Sequence, residues 1–490
     1  MSAVPLGVIA AVAGAATVFA FSPAGFYPLA LLAGALLAHL WRAAPPGKCF
    51  LTGFWFGAGF FGVGVSWVYV SMSRFGGMPP PLAAFATAAF CALLALFPAA
   101  AGWLQARIPA PPALRACLII PAAWLLFEWL RSWILTGFPW LSLGYAAVGW
   151  TPQGYAPLVG VFGLSLITLS LGGMLWSAFV HRHYAPLIVF AAVAAGGEAL
   201  RHVDWSAPHG APFSAALLQG NIEQSLKFDP ARYERTLETY ASLAEGSRAR
   251  LIVFPETAVP RFLDNVEPDY LRRLAAAARR NKGDLLLGVL TRRGAGREMS
   301  EYYNSVISLG VAPVQVYHKQ HLVAFGEFVP PGFGWTLQLL HIPYSDFSRG
   351  AAGQPLVEAL EQRIAVNVCY EDAFGDEIAR RLPEATLLVN VSNVAWFGDS
   401  LAPGQHLQMA RMRALETARM HLTATNSGIT AAIDRDGSVS GRLPPFTEGR
   451  LEVEARGYSG ATPYVVLRDW PAVLFSLLVL AGAILLARRR

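Results

Sequence analysis

Arg363-Ile364-Ala365-Val366-Asn367-Val368-Cys369-Tyr370-Glu371-Asp372 is the stretch whose reading decides the fold of the polar part of this chain. Its apolar, β-branched run has the composition of a strand. The run ends on Cys369, and a helical pattern over 373–381 follows. A strand that feeds a helix through a tight turn presents the residue between them at a sheet edge. A helix N-terminus at that point is expected to lower the thiol pKa and raise the thiolate fraction. Backbone N–H groups of the turn can also receive an oxyanion. A cysteine after a strand is ordinarily a small core residue, so the stretch gains weight only from its company.

That company lies upstream. Leu251-Ile252-Val253-Phe254-Pro255-Glu256 is a second apolar run, stopped by a proline and ending in a carboxylate that can act as a general base. Val314-Gln315-Val316-Tyr317 is a third, followed by His318-Lys319. A cation there can stabilise a thiolate or balance an oxyanion. Taken singly, Glu256 reads as a loop carboxylate and Lys319 as a solvated lysine, although lysine is scarce here, with only Lys227 and Lys282 besides it in the polar region.

Between 213 and 455 short apolar runs alternate with helical patterns. Strands are expected at Phe213–Gln219, Arg250–Phe254, Asp284–Leu290, Tyr302–Leu309, Val314–Tyr317, Arg363–Val368, Thr386–Val391, His421–Ala424 and Ile429–Ile433. Helices are expected over 230–247, 267–281, 373–381 and 404–419, which makes a layered α/β domain. Asp434-Arg435-Asp436-Gly437 is a hairpin turn, and 455–468 reads as a linker.

The rest of the chain is built for lipid. Hydrophobic residues make up 54% of the 490 and charged residues 14%, against about 25% charged in soluble proteins. Of 32 acidic residues only Glu128 and Glu198 precede position 199. Seven spans are expected at about 4–21, 26–41, 50–72, 80–104, 116–134, 156–180 and 185–200, and an eighth at about 471–487. The expected organisation is a bundle over 1–200, a catalytic domain over 201–470, and a last span with a basic tail over 471–490. With the N-terminus inside, the inner loops hold Arg42, Lys48, Arg107, Arg115, Arg182 and Arg488–Arg490, and the outer loops only Arg74 and Arg131. This asymmetry puts 201–470 outside, in a periplasm if the cell has one. The net charge of +6 fits that loop bias and calls for no nucleic acid.

Within the fifth span Glu128 and Arg131 share a helical face and can pair, and the breaker-rich Thr136-Gly137-Phe138-Pro139-Trp140 reads as a loop dipping towards the membrane surface. Cys49, Cys91, Cys117 and Cys369 suggest no disulfide framework, and no metal-ligand spacing appears, so no cofactor or metal is expected.

Three strand-end residues of complementary type are worth more together than apart. FPE at 254–256, HKQHLVAFGEF at 318–328 and NVCYED at 367–372, in that order, resemble the Glu–Lys–Cys triad of the nitrilase superfamily. The QGNIEQSLKFDP segment at 219–230, the EWLRSWILTGFPWLSLGY stretch from Glu128 and the eight flanking spans are similar to the apolipoprotein N-acyltransferase family. The resemblance implies an αββα sandwich beside a transmembrane helical bundle. It implies Cys369 as nucleophile, Glu256 as general base and Lys319 as oxyanion partner, with Glu327, Glu371 and Tyr370 in support. Phe228 stands where family members often have Trp, a position thought to contact lipid, and so implies a substrate-binding role. The activity implied is ping-pong acyl transfer. Cys369 takes an acyl chain from the sn-1 position of a membrane phospholipid and passes it to the α-amine of the diacylglyceryl-cysteine of an apolipoprotein. A monomer is expected. Apolar stretches at Phe325–Phe328 and Phe333-Gly334-Trp335 are candidate lids. The competing reading is a membrane-bound amidase or nitrilase that uses the same three residues with water as acceptor.

Overall fold

The computed structural model describes residues 5–182, 184–294, 301–330, 332, 334 and 346–488. Phe333 and Trp335 of the expected lid lie outside these, as do Arg489 and Arg490 of the expected basic tail. The chain forms two compact units. One comprises Met1–Tyr69, Pro80–Asp204 and Thr462–Arg490, and the other Val70–Pro79 and Trp205–Ala461.

The first unit is helical. Among the described residues, four helices are long and apolar enough to cross a membrane: Pro80–Ala106, Pro112–Arg131, Thr151–Val180 and Trp470–Arg488. Pro46–Gly64 and Val68–Phe75 meet that test only as a pair and are bent by 58°. The break has a local cause. Ser66 Oγ donates to the Val63 carbonyl at 3.0 Å and Trp67 Nε1 to the Gly64 carbonyl at 3.2 Å, so side chains occupy acceptors at the bend. Leu6–Ala20, Pro28–Trp41 and Ala185–Leu200 are apolar but shorter, below the roughly 20 residues a bilayer core needs. Close packing depends on small residues. A Cβ at Gly14 would run into the Phe56 carbonyl, and one at Gly59 into the Ala11 carbonyl, so the first and third helices touch through their backbones.

Glu128 and Arg131, both buried, brace the loop that follows their helix. Glu128 Oε1 accepts from the Leu143 N–H at 2.7 Å and from Trp124 Nε1 at 3.3 Å. Arg131 donates to the carbonyls of Phe138 and, at 2.7 Å, Trp140. The breaker-rich segment is therefore held by the one buried acid and base beside it.

The second unit is a sandwich. Its strands are β1 Ala207–Gln219, β2 Leu251–Val253, β3 Val259–Phe262, β4 Asp284–Arg293, β5 Glu301–Gly310, β6 Val316–His318, β7 Val357–Ala359, β8 Gln362–Val368, β9 Leu387–Ser392, β10 His421–Thr425, β11 Ala431–Ile433, β12 Val439–Arg442 and β13 Gly449–Ser459. One sheet has the order β13-β1-β2-β4-β5-β6, with β3 beside β4, and the other β12-β11-β10-β9-β8-β7. Alternation along each strand builds the layers. Ala215 and Leu217 face Val366, Val368, Val389 and Leu422 of the opposite sheet. Ala216 and Leu218 face the other way, onto the helices Tyr233–Glu245 and Pro268–Arg280. Ala431 and Ile433 pack on the helix Ala402–Thr417 outside the second sheet. The order helix, sheet, sheet, helix is the αββα sandwich. Strands covered on both faces read as continuous apolar runs, which is why they are legible in the sequence.

One expectation is corrected. The segment 455–468 is not a linker: β13 continues to Ser459 and a short helix spans Pro463–Leu467. Leu451, Val453 and Ala455 alternate with Arg450, Glu452, Glu454 and Arg456, and β13 is an edge strand paired only with β1 in its sheet. Its charged outward face hides an apolar inward one.

Candidate active site

Parallel strands in each sheet bring their carboxyl ends to one place. β1, β2 and β4 run parallel. β6 is antiparallel to β5, which is antiparallel to β4, so β6 runs with them. β8, β9 and β10 are parallel to one another. Glu256 follows β2, Lys319 follows β6 and Cys369 follows β8. Carboxyl ends of parallel strands are where α/β folds open a crevice for ligands.

Cys369 sits on a strained elbow, with φ at +54°. A non-glycine residue held there costs of order 1–3 kcal/mol and persists only when its surroundings over-determine it. Here they do. The Val368 N–H donates to Glu371 Oε2 at 2.6 Å, and the Cys369 carbonyl faces Asn390 Nδ2 at 3.2 Å and His406 Nε2 at 3.2 Å. The backbone N–H of Asn393, just past β9, donates to the cysteine sulfur. The helical stretch after the elbow is only a 3-10 turn over Cys369–Ala373 and a five-residue helix over Gly375–Ala379.

The charges are tightly linked. Lys319 is 1% exposed, and its Nζ lies 2.7 Å from Glu327 Oε2 and 3.7 Å from Glu256 Oε1. Asn304, on β5, donates through Nδ2 to Glu256 Oε1 at 2.7 Å and to Glu327 Oε1 at 3.0 Å, so one amide ties the two carboxylates together. Burial opposes the charge on Lys319, but Glu327 and Glu256 overcome it and hold its pKa above the ordinary lysine value. The ammonium is permanent.

The expected thiol chemistry needs a correction. Burial, and next the Glu256 carboxylate, push the Cys369 thiol up, against the pull of Lys319 and the Asn393 N–H. A turn this short carries little helix dipole. Part of the residue surface remains open, yet the sulfur itself lies among protein atoms and loses hydration. Cys369 therefore rests as a neutral thiol, and its proton would need a base to leave.

Glu371 ties the Cys369 elbow to the Lys319 loop. Its carboxylate accepts from Tyr317 Oη at 3.0 Å and from the N–H groups of Gln320 and His321 at 2.7 and 3.0 Å, besides Val368. The two residues immediately after Lys319 and the residue immediately before Cys369 thus share one carboxylate. Burial pushes that carboxyl up in pKa, with those donors and Lys319 pulling down. Tyr370 stands edge-on to Phe374 at 5.0 Å and to His321 at 5.8 Å. Phe228 is half-buried in the turn after Gln224–Leu226. Of the lid candidates, Phe325 is exposed with φ at +61°, and the Phe328 ring carries Arg349 at 5.0 Å. Sequence reasoning missed Asn304, Asn390, Asn393 and His406. Each is a polar residue within or beside an apolar strand or helix and is buried, which is the signal that was available. Among the described residues no group of three or more His, Cys, Asp or Glu could hold a metal ion.

Comparison with known proteins matches both units. The family model described as apolipoprotein N-acyltransferase N-terminal domain matches residues 13–174. The carbon-nitrogen hydrolase model matches residues 214–464. A protein of Nitrosomonas europaea named apolipoprotein N-acyltransferase is 46% identical over 480 residues, covering 96% of this chain and 95% of its own. Proteins of the same name from Methylococcus capsulatus and Ralstonia nicotianae are 44% and 42% identical, covering 93% and 98% of this chain and 91% and 93% of their own.

Proposed function

The chain belongs to the apolipoprotein N-acyltransferase family, and from that membership we propose that it moves an acyl chain from a membrane phospholipid to the N-terminal amine of an apolipoprotein through Cys369. The observation that carries the residue assignment is Cys369 on its strained elbow within the electrostatic reach of Glu256 and Lys319, whose Oε1 and Nζ lie 3.7 Å apart.

Glu256 takes the thiol proton as sulfur attacks the ester carbonyl. Lys319 balances the oxyanion of the tetrahedral intermediate. The C–O bond breaks, Glu256 returns the proton to the departing lysophospholipid alcohol, and an acyl thioester remains. The α-amine of the diacylglyceryl-cysteine then loses a proton to Glu256 and attacks the thioester. The C–S bond breaks, the sulfur regains a proton, and the N-acylated lipoprotein leaves. Glu327 holds Lys319, Glu371 holds the elbow and the lysine loop in register, Tyr370 lines the elbow, and Phe228 contacts the lipid. The protein acts as a monomer in the inner membrane, with the bundle over 1–200 and 471–490 and the catalytic domain over 201–470 on the periplasmic side. The loop charge bias supports that orientation.

The test is intact mass after mixing the protein with phospholipid alone. An acyl adduct on Cys369, absent in Cys369→Ala and removed by hydroxylamine, is expected, with Glu256→Gln forming it slowly. Continuous release of free fatty acid without an amine acceptor would instead mark a hydrolase.

A further inference from the structure

Lys227 has no part in the chemistry above, yet it is 4% exposed. Burying an ammonium costs several kcal/mol unless neighbours compensate. Its Nζ donates to the backbone carbonyl of Glu256 at 3.0 Å, the one hydrogen-bond acceptor it has among the described residues. An ammonium offers three donors, so hydrogen bonding alone does not account for its place. What faces it is the Glu256 carboxylate and, once its proton has left, the Cys369 sulfur, each of which favours the protonated lysine when ionised.

Two further features point the same way. Glu256 is followed by Thr257 at φ +47°, a β-branched residue in the left-handed region, so the turn that aims the carboxylate needs holding. The loop of Lys227 is also pinned from its other side. Gln224 Oε1 accepts from Asn393 Nδ2 at 2.7 Å, and Asn393 is the residue whose N–H meets the cysteine sulfur. One loop thus grips the base through Lys227 and the nucleophile's neighbour through Gln224.

Charge balance gives the reason. The charged groups acting on Cys369 include Glu256, Lys319 and Glu327. When the proton moves from sulfur to Glu256, the thiolate and the Glu327 carboxylate face a single ammonium, Lys319. Glu371 adds a further carboxyl that acts on Lys319 and carries its own donors. That proton shift is internal and leaves the net charge unchanged, so a second buried cation keeps the cluster neutral before the transfer as well as when the thiolate exists. We propose that Lys227 is this second cation, a positioning residue whose ammonium fixes the Glu256 turn and supplies the charge that lets Cys369 release its proton. The proposal rests on the acyl-transfer reading for its place in the reaction. Burial draws the Lys227 pKa down to about 8 against the pull of Glu256 and Cys369, so the charge is present at neutral pH and is lost above that value.

The experiment compares wild type, Lys227→Met and Lys227→Arg as full-length protein. Two readouts are taken across pH: alkylation of Cys369 by iodoacetamide, followed by peptide mass, and acyl-adduct formation from phosphatidylethanolamine vesicles. In Lys227→Met the alkylation midpoint is expected to rise by at least one pH unit and adduct formation to slow at least tenfold. Lys227→Arg should recover alkylation and keep forming adduct above pH 8, where the wild type declines. A Lys227→Met profile that superposes on the wild type overturns the proposal, as do identical alkaline limbs for Lys227→Arg and wild type, and the latter comparison holds even if Lys227→Met does not fold. If the wild type takes no acyl chain while the alkylation midpoints shift as stated, the acyl-transfer reading falls and the role of Lys227 stands.

Discussion

At the scale of the residue, Cys369, Glu256 and Lys319 were legible because each closes an apolar strand with a reactive group. What holds them was not, since Asn304, Asn393 and His406 look like ordinary polar residues until strands far apart in sequence bring them in. Glu371 shows how much depends on such partners. Glu371→Gln would set an amide N–H2 against backbone donors, most sharply against Val368 if it takes the place of Oε2. An unsatisfied buried donor costs about 1–3 kcal/mol. We expect the variant to melt several degrees lower and to form almost no acyl adduct, whereas unchanged melting with full adduct formation would exclude a stapling role. Asp372 carries a pH dependence. Burial tends to raise its pKa, yet His421, at 3.0 Å, with His406 and Arg413, holds it below the usual carboxylate range. A folded-state pKa below the unfolded value of about 3.9 gives stability that is present above that value and lost as pH falls through the folded one. The melting temperature should therefore fall in acid below about pH 4, and Asp372→Asn should flatten that limb. A wild type with no acid limb would contradict the assignment.

At the scale of the element, the sandwich strands could be placed from sequence because both faces are covered and their runs are apolar throughout. β13 escaped because it is an edge strand with a charged face, and β3, β7 and β12 because their short runs are broken by Pro260 and Arg261, by Glu358, and by Ser440, Gly441 and Arg442. The elbow misled for another reason. Its helical pattern is real, but it is divided between a 3-10 turn and one short helix, so the expected dipole effect on the thiol is weak and burial prevails. Element packing also reaches the chemistry through β4. A Cβ at Gly288 would meet the Pro255 carbonyl, lie 2.7 Å from the Thr257 nitrogen and lie 2.8 Å from the Glu256 Cα. All three are backbone atoms and cannot rotate away, so glycine is what lets the Glu256 turn lie against the strand. Gly288→Ala should displace Glu256 and slow acyl-adduct formation at least tenfold in protein that still folds. Wild-type kinetics in that variant would mean that the turn has slack the packing does not suggest.

At the scale of the whole molecule, the division of composition is itself the argument for a membrane enzyme. An acyl chain carried through water exposes apolar surface worth roughly 0.8 kcal/mol per CH2, so a chain of about sixteen carbons is held back by more than about 10 kcal/mol. A catalyst that keeps its thioester at the bilayer surface avoids most of that barrier, and one carried on a polytopic helical unit never leaves the surface. On the proposed orientation the acidic residues, crowded between Asp204 and Asp469, and the basic short loops, which hold Arg42, Lys48, Arg107 and Arg115, lie on opposite sides of the bilayer. This is open to direct labelling with an impermeant maleimide in a Cys369→Ala background, using one added cysteine at a time. Arg235 and Arg42 are both exposed. Arg235→Cys should react in intact spheroplasts, and Arg42→Cys only after the membrane is permeabilised. The reverse pattern would put the thiol on the cytoplasmic side, facing a leaflet where an exported apolipoprotein could not present its amine.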